Sequence, residues 1–388
     1  VPTLPWALLA AACLGMFAAS SSGTTRAPFL IEMARDLSTS LPMVANLMAA
    51  TSISWGVSSV FAGAASDRWG RRPFLIGGPL GLAACLVCLS LAQSYLGVAF
   101  WATAAGAFAG GFTGVIMTEA SARTADRQRG RALGWVMAGQ SLALLVGVPL
   151  AAWIGSSIGW RGVNQVVASV AVLAAIGLFV TTLRPPAGSA SGARPARTSM
   201  RSAMTGPVLR LLSMGVAERV CYGLTVVYFA TFLQATYGLT PAGVAIPLGL
   251  VALGNILSTI LGGQAADRLA DRSRTFAVAM VGSGFAAMAL FSWTPGLAGT
   301  VALGFAYATF SAMSRPSLMA ALANVPDEVR GTVLGLNVTA ASLGWLGAAT
   351  LGGWIMAEIG FIGFGPFAMV VALVGAVLAL TGRNHRAG

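Results

Sequence analysis

Apolar residues fall along this chain in twelve runs of roughly 20, set apart by short polar breaks. The runs cover about residues 6–28, 43–64, 74–93, 97–120, 132–155, 162–183, 207–236, 242–265, 275–293, 297–323, 332–356 and 361–382. At ~1.5 Å per residue, each is long enough to cross a hydrocarbon layer of ~30 Å. None shows the period-two alternation of a barrel strand, and lipid offers no partner to backbone N–H and C=O groups. Each run is therefore predicted to be a helix that satisfies its own backbone, which makes the chain an all-α membrane protein with twelve transmembrane helices.

The polar breaks are unequal. Between the sixth and seventh runs lies Arg184-Pro-Pro-Ala-Gly-Ser-Ala-Ser-Gly-Ala-Arg-Pro-Ala-Arg197, a Pro/Gly/Ser/Arg stretch with nothing to bury. It predicts a linker over 184–206 between two six-helix halves, 1–183 and 207–388. The halves repeat each other. Gly63-Ala-Ala-Ser-Asp67-Arg68-Trp-Gly70-Arg71-Arg72-Pro73 is echoed by Gly263-Gln-Ala-Ala-Asp267-Arg268-Leu-Ala-Asp271-Arg272, and Arg129-Gly130-Arg-Ala-Leu-Gly134 by Arg330-Gly331-Thr-Val-Leu-Gly335. Two matched landmarks about 200 residues apart imply a parallel, pseudo-symmetric duplication.

Charge orients the runs. Arginines crowd the even-numbered connections (Arg68, Arg71 and Arg72 in the first of them), whereas the odd-numbered ones hold little beyond Arg35 and Arg161. The positive-inside rule then puts both termini, the linker and the charged turns in the cytoplasm, with the chain multi-pass in the cytoplasmic (inner) membrane. Composition agrees with the pattern: 56% of the 388 residues are apolar, 9% are charged, and mean hydropathy is +0.80. The net charge of +12 is carried without lysine and sits mostly in short loops, so it reads as a topology signal and not as a nucleic-acid surface.

Several chemistries drop out. Without lysine there is no Gly-x-x-x-x-Gly-Lys nucleotide loop, so ATP-driven pumping by this chain is excluded. The lone histidine, His385, lies in the polar tail, which leaves no catalytic triad or His-rich metal site; no enzyme activity, metal or cofactor is expected. Cys13, Cys85, Cys88 and Cys221 all lie inside apolar runs and read as packing residues. The apolar run from Trp6 is too long for a cleavable signal.

What remains is charge inside the membrane, which costs at least ~2.5 kcal/mol per ionised group at the bilayer centre and so needs a partner or a purpose. Arg315, directly before Pro316, lies mid-way along run ten, and the proline frees carbonyls as a cavity-lining helix would. Glu218 and Arg219 lie mid-way along run seven, followed by Tyr222 and Tyr228. Neighbours on a helix point ~100° apart, so Glu218 and Arg219 are not expected to pair; a Glu218–Arg315 contact would neutralise both, with exposure to a water-filled vestibule as the alternative. Glu119, with Arg123 one turn on, reads as a surface-proximal i,i+4 pair or a proton carrier. Arg26 either snorkels to the outer interface or lines an outward vestibule. Asn46, Gln140, Asn255 and Asn337 interrupt their runs and can bind a ligand or bond helix to helix. Gly106, Gly110 and Gly114 lie along one face of run four, and Gly139, Gly147 and Gly155 recur in run five, which predicts close helix approach.

Twelve spans in two repeated halves, with a Gly-x-x-x-Asp-Arg-x-Gly-Arg-Arg turn after the second, resemble the major facilitator superfamily over essentially the whole chain. Gly63, Asp67, Arg68, Gly70, Arg71 and Arg72 all match its signature. Gly147-Val-Pro149-Leu-Ala-Ala-Trp-Ile-Gly155 resembles the span-five motif of its drug:proton antiporters and sugar effluxers, with Ala151 where that pattern has glycine. The chain departs from the family in having no basic residue in span four and no acid in span one, where the run Ser20-Ser-Ser-Gly-Thr-Thr25 stands. The resemblance implies a secondary transporter working by alternating access, with the turn as a conformational latch in which Asp67 meets the start of span eleven near Gly331. Asp267 and Arg268 would form a weaker copy. It also implies a small-molecule substrate, a lipid bilayer as surroundings, an ion gradient of protons as the energy source, and function as a monomer. Proton-coupled efflux of a small organic molecule is favoured by the span-five motif. Uptake or exchange of a small organic anion is favoured by Arg315 and the missing coupling residues.

Overall fold

The computed structural model describes residues 4–125, 128–183, 204–268, 271–325 and 327–381, without the side chains at 64, 67, 263, 265–268, 323, 327, 328, 330–332, 334 and 335. The side chains of Asp67, Asp267 and Arg268, the Gly331 contact, and most of the 184–206 linker thus lie outside the described residues. Among those described, every regular element is helical. The helices are α1 Trp6–Thr24, α2 Leu30–Asp36, α3 Leu41–Trp69, α4 Arg72–Leu91, α5 Tyr95–Ala122, α6 Arg129–Leu142 and α7 Val148–Thr181, then α8 Gly206–Tyr237, α9 Ala245–Arg268, α10 Arg272–Ser292, α11 Leu297–Ala323, α12 Asp327–Glu358 and α13 Phe364–Thr381.

Among the described residues, eleven stretches are long and apolar enough to span a membrane, against twelve apolar runs. The difference lies in one place. Residues 129–181 form a single stretch of 53 residues, about 80 Å if straight and more than twice the layer it must cross. It is not straight. At Gly159 the backbone takes φ 67° and ψ 173°, a conformation only glycine holds without strain, so two helical segments joined at a sharp bend share one unbroken stretch. Short helical turns at Ala27–Phe29, Ala242–Val244 and Phe361–Gly363 likewise soften the ends of neighbouring spans.

The chain divides into two compact units, one of Val1–Ala193 with Thr240–Ala245, the other of Arg194–Leu239 with Ile246–Gly388. In the first, α3 lies along α5, α4 along α5 and α7, and α1 between α6 and α7. Gly106, Gly110 and Gly114 make the α3–α5 approach possible. A Cβ on Gly106 would run into the carbonyl of Thr51, one on Gly110 into that of Trp55, and one on Gly114 would come 3.0 Å from that of Ser59. Gly139, Gly147 and Gly155 do the same against α1 and the turn after it, at Cys13, Phe17 and Phe29. The core between these helices is filled by Leu8, Leu9, Leu82, Leu86, Phe112 and Ile116 among others. In the second unit, α10 lies along α11 and α13, and α8 along α11, α12 and α13. Phe100, Trp153, Val278, Phe285 and Trp354 stand exposed on the outer faces, as side chains that meet lipid do.

Candidate functional site

The second unit holds a carboxylate between two guanidiniums. Its scaffold is α8, 32 residues with Pro207 in the first turn and Gly238 ending it in the left-handed conformation. Glu218 lies twelve residues in and is 1% exposed. Its Oε1 accepts from Arg315 Nε at 3.2 Å and Nη2 at 2.8 Å, and its Oε2 lies 3.4 Å from Arg219 Nε. The Glu218–Arg315 contact is thus made. The expectation that Glu218 and Arg219 do not pair is overturned: their Cα–Cβ bonds diverge, but the long arginine stem bends back to the oxygen that Arg315 leaves free.

Arg315 reaches across from α11, where Pro316 has no N–H for the carbonyl of Ala312. The surroundings of this turn are polar: Ser283 and Ser311 hydroxyls bond at 2.7 Å, and Ser314 donates to the Ser311 carbonyl at 2.7 Å. The Arg315 guanidinium lies 4.9 Å from the Tyr222 ring centre, and the Trp345 ring meets Tyr222 edge-on at 5.8 Å. Both arginines keep about a fifth of their side-chain surface open while Glu218 keeps almost none. One negative and two positive groups leave a net positive, aromatic-walled cluster.

Other candidates stand apart from it. Tyr228 is fully buried and donates to the Ala349 carbonyl at 2.6 Å, a bond between α8 and α12. Tyr307 likewise donates to the Cys221 carbonyl. Asn337 contacts Met319 Sδ at 3.6 Å, and Asn255 is buried with its Nδ2 unpartnered. Gln140 is exposed on α6, and Asn46 keeps an unpartnered Oδ1 on α3.

In the first unit the charged turn does more than set topology. Gly70, at φ 83°, ends α3, and Gly63 faces open space. Arg68 is exposed, Arg72 stands 5.0 Å over the Phe179 ring, and Arg71 reaches 3.3 Å to Glu119 Oε2. Glu119 Oε1 meanwhile takes the expected bond from Arg123, at 2.5 Å. The i,i+4 pair is made as expected, and it is not solvated: Glu119 is only 4% exposed and is clamped from both sides. Arg26 is corrected as well. It neither snorkels nor lines a vestibule; it is 2% exposed, because the chain continues past α1 into the Ala27–Phe29 turn and α2 and keeps this residue inside the bundle. Its Nη1 donates to Thr51 Oγ1 at 3.0 Å.

Along the span-five motif the helix widens to π spacing over Ala143–Gly147, directly before Pro149, which has no N–H for the carbonyl of Leu145. One feature had no sequence signal beyond its charge. Asp36 Oδ2 accepts from Trp160 Nε1 at 2.9 Å and Arg161 Nη1 at 2.7 Å, tying the end of α2 to the Gly159 bend.

These arrangements have relatives. The Streptomyces lividans chloramphenicol resistance protein is 25% identical over 95% of this chain and 97% of its own. The inner membrane transport protein YdhP of Escherichia coli K12 is 26% identical over 96% and 94%. A bacterial homologue of the human lysosomal transporter Spinster shares the fold, with a TM-score of 0.74 over 98% of this chain and 95% of that one at 16% identity. The sequence profile of the Major Facilitator Superfamily matches residues 12–240 and again 211–387, so both halves carry it. This chain belongs to the Major Facilitator Superfamily and is a multi-pass membrane transporter.

Proposed function

We propose that this transporter exports a small organic molecule across the cytoplasmic membrane in exchange for protons, exposing its site alternately to each side, with both termini cytoplasmic. The observation that carries the reading is Glu218, a nearly inaccessible carboxylate engaged by Arg315 and Arg219. A proton and a hydrogen-bond donor on the cargo compete for the same two oxygens, and competition between proton and cargo is what antiport requires. The S. lividans relative named for chloramphenicol resistance supports export, and the E. coli relative named as an inner membrane protein supports the location. The Asp67–Arg72 turn is assigned the latch between states, and the chain is taken to work as a monomer.

The second reading, uptake or exchange of a small organic anion, is favoured by the excess of guanidinium over carboxylate at the same cluster. The sign of coupling separates the two. Protonating Glu218 releases both arginines and so helps an anion to bind, which couples proton and cargo in the same direction. Vesicles reconstituted with the protein, given an imposed pH gradient and a panel of neutral lipophilic drugs and organic anions, decide it. Gradient-driven movement of a neutral drug against the proton flux, lost in Glu218→Gln, is expected. Counterflow with no pH dependence rejects antiport.

A further inference from the structure

We propose that Arg26 forms a second, buried site in the first unit, one that takes the carboxylate of a transported organic acid. The inference deepens the second of these readings, transport of an organic anion, resting on it for the occupant being cargo and not for the existence of the site. Arg26 is 2% exposed, yet among the described residues it makes no ion pair. The acids of this unit whose side chains are described are engaged elsewhere: Asp36 with Arg161 and Trp160, Glu119 with Arg71 and Arg123, while Glu32 lies beside Gly159, where a Cβ would stand 3.4 Å from its Oε1. Arg26 Nη1 is satisfied by Thr51 Oγ1, whose own hydrogen goes to the Leu47 carbonyl at 2.7 Å. Nε and Nη2 are buried with no acceptor.

Those two nitrogens share one edge of the guanidinium, the edge that presents parallel N–H bonds to the two oxygens of a carboxylate. The second unit shows the same edge engaging a carboxylate, since Arg315 meets Glu218 through its Nε and Nη2, there with both bonds on one oxygen. A buried cation with that edge unfilled is costly, and a two-oxygen anion removes the cost by completing both hydrogen bonds and the charge. On the turn before Arg26, a Cβ at Gly23 would meet nothing within 4 Å.

Thermal unfolding of the purified full-length chain, titrated with sodium benzoate against sodium chloride at matched ionic strength, tests the site without needing a gradient or a direction. Wild type is expected to be stabilised saturably by benzoate and not by chloride, and Arg315→Gln to keep the response. Arg26→Gln should lose it. Arg26→Lys, which supplies a cation but no fork, should weaken apparent affinity at least ~10-fold. No response in wild type, an equal response to chloride, or an unchanged response in Arg26→Lys would each overturn the site. Counterflow of labelled benzoate in vesicles, present in wild type and lost in Arg26→Lys, is expected for a cargo site; binding without counterflow overturns that assignment. Failure of proton-driven export alone would leave the titration intact.

Discussion

Glu218 and Arg315 were legible together because neither is tolerable alone at mid-span, and removing one partner of a buried pair costs about 3–5 kcal/mol. Two groups joined this way respond as a unit. Glu218→Gln and Arg315→Gln are each expected to cut transport severely, and the double variant to do little more, with a coupling of ~1–3 kcal/mol in a double-mutant cycle of transport rates. Additive losses would separate the two residues. Arg219→Gln should do less, since its contact is longer, at 3.4 Å, and on the oxygen that Arg315 does not use. What the sequence left hidden depends on side-chain reach: the bend of Arg219 back to its neighbour, and Arg71 crossing from the charged turn to Glu119. The second of these gives another test. Glu119→Gln strands Arg71 and Arg123 against a neutral amide, so a loss of ~1–3 kcal/mol in thermal or denaturant unfolding is expected, whereas a solvated surface pair would lose under ~1 kcal/mol. Arg26 escaped a correct reading because a position near the end of an apolar run does not reveal that the chain turns and stays inside the bundle.

At the scale of elements, run length and glycine spacing carried most of the fold. The stripe Gly106, Gly110, Gly114 was readable as a contact face, though its partner, α3, was not, because periodicity identifies a face and not its neighbour. The turn between the fifth and sixth runs was readable too, since the predicted runs end at 155 and resume at 162 and the bend falls at Gly159. Its continuity with both helices was not, because glycine keeps the turn so tight that no loop intervenes. This bend is held without strain only because residue 159 is glycine. Gly159→Ala places a side chain at φ 67° and ψ 173° and is expected to lower stability by ~1–3 kcal/mol, read as a fall in melting temperature of the purified protein. The same substitution at Gly134, which sits inside a helix with open space beside it, should leave stability unchanged or raise it by up to ~1 kcal/mol, and serves as the reference. The π turn over Ala143–Gly147 had a cause visible in sequence, Pro149, but proline predicts a disturbed ladder without saying whether the helix kinks or widens.

For the whole molecule, the duplication and the arginine pattern make a statement about sides that counting spans alone does not. Six crossings separate the connection holding Gln93 from the one holding Thr294 if residues 129–181 cross twice, and five if they cross once. An even number returns the chain to the same face, as a parallel repeat demands; an odd number does not. The four native cysteines are unpaired and lie within spans, so a background without them is a reasonable starting point. In it, Gln93→Cys and Thr294→Cys, both at exposed positions, should react with an impermeant maleimide added to intact cells, and Arg129→Cys only after the membrane is opened. Gln93 and Thr294 labelled from opposite faces would mean that the bend at Gly159 does not reverse the chain, and the duplicated halves would then be inverted. All three labelled with the opposite preference would keep the repeat and reverse the orientation, moving Arg71 and Glu119 to the outer face and with them the site of the latch.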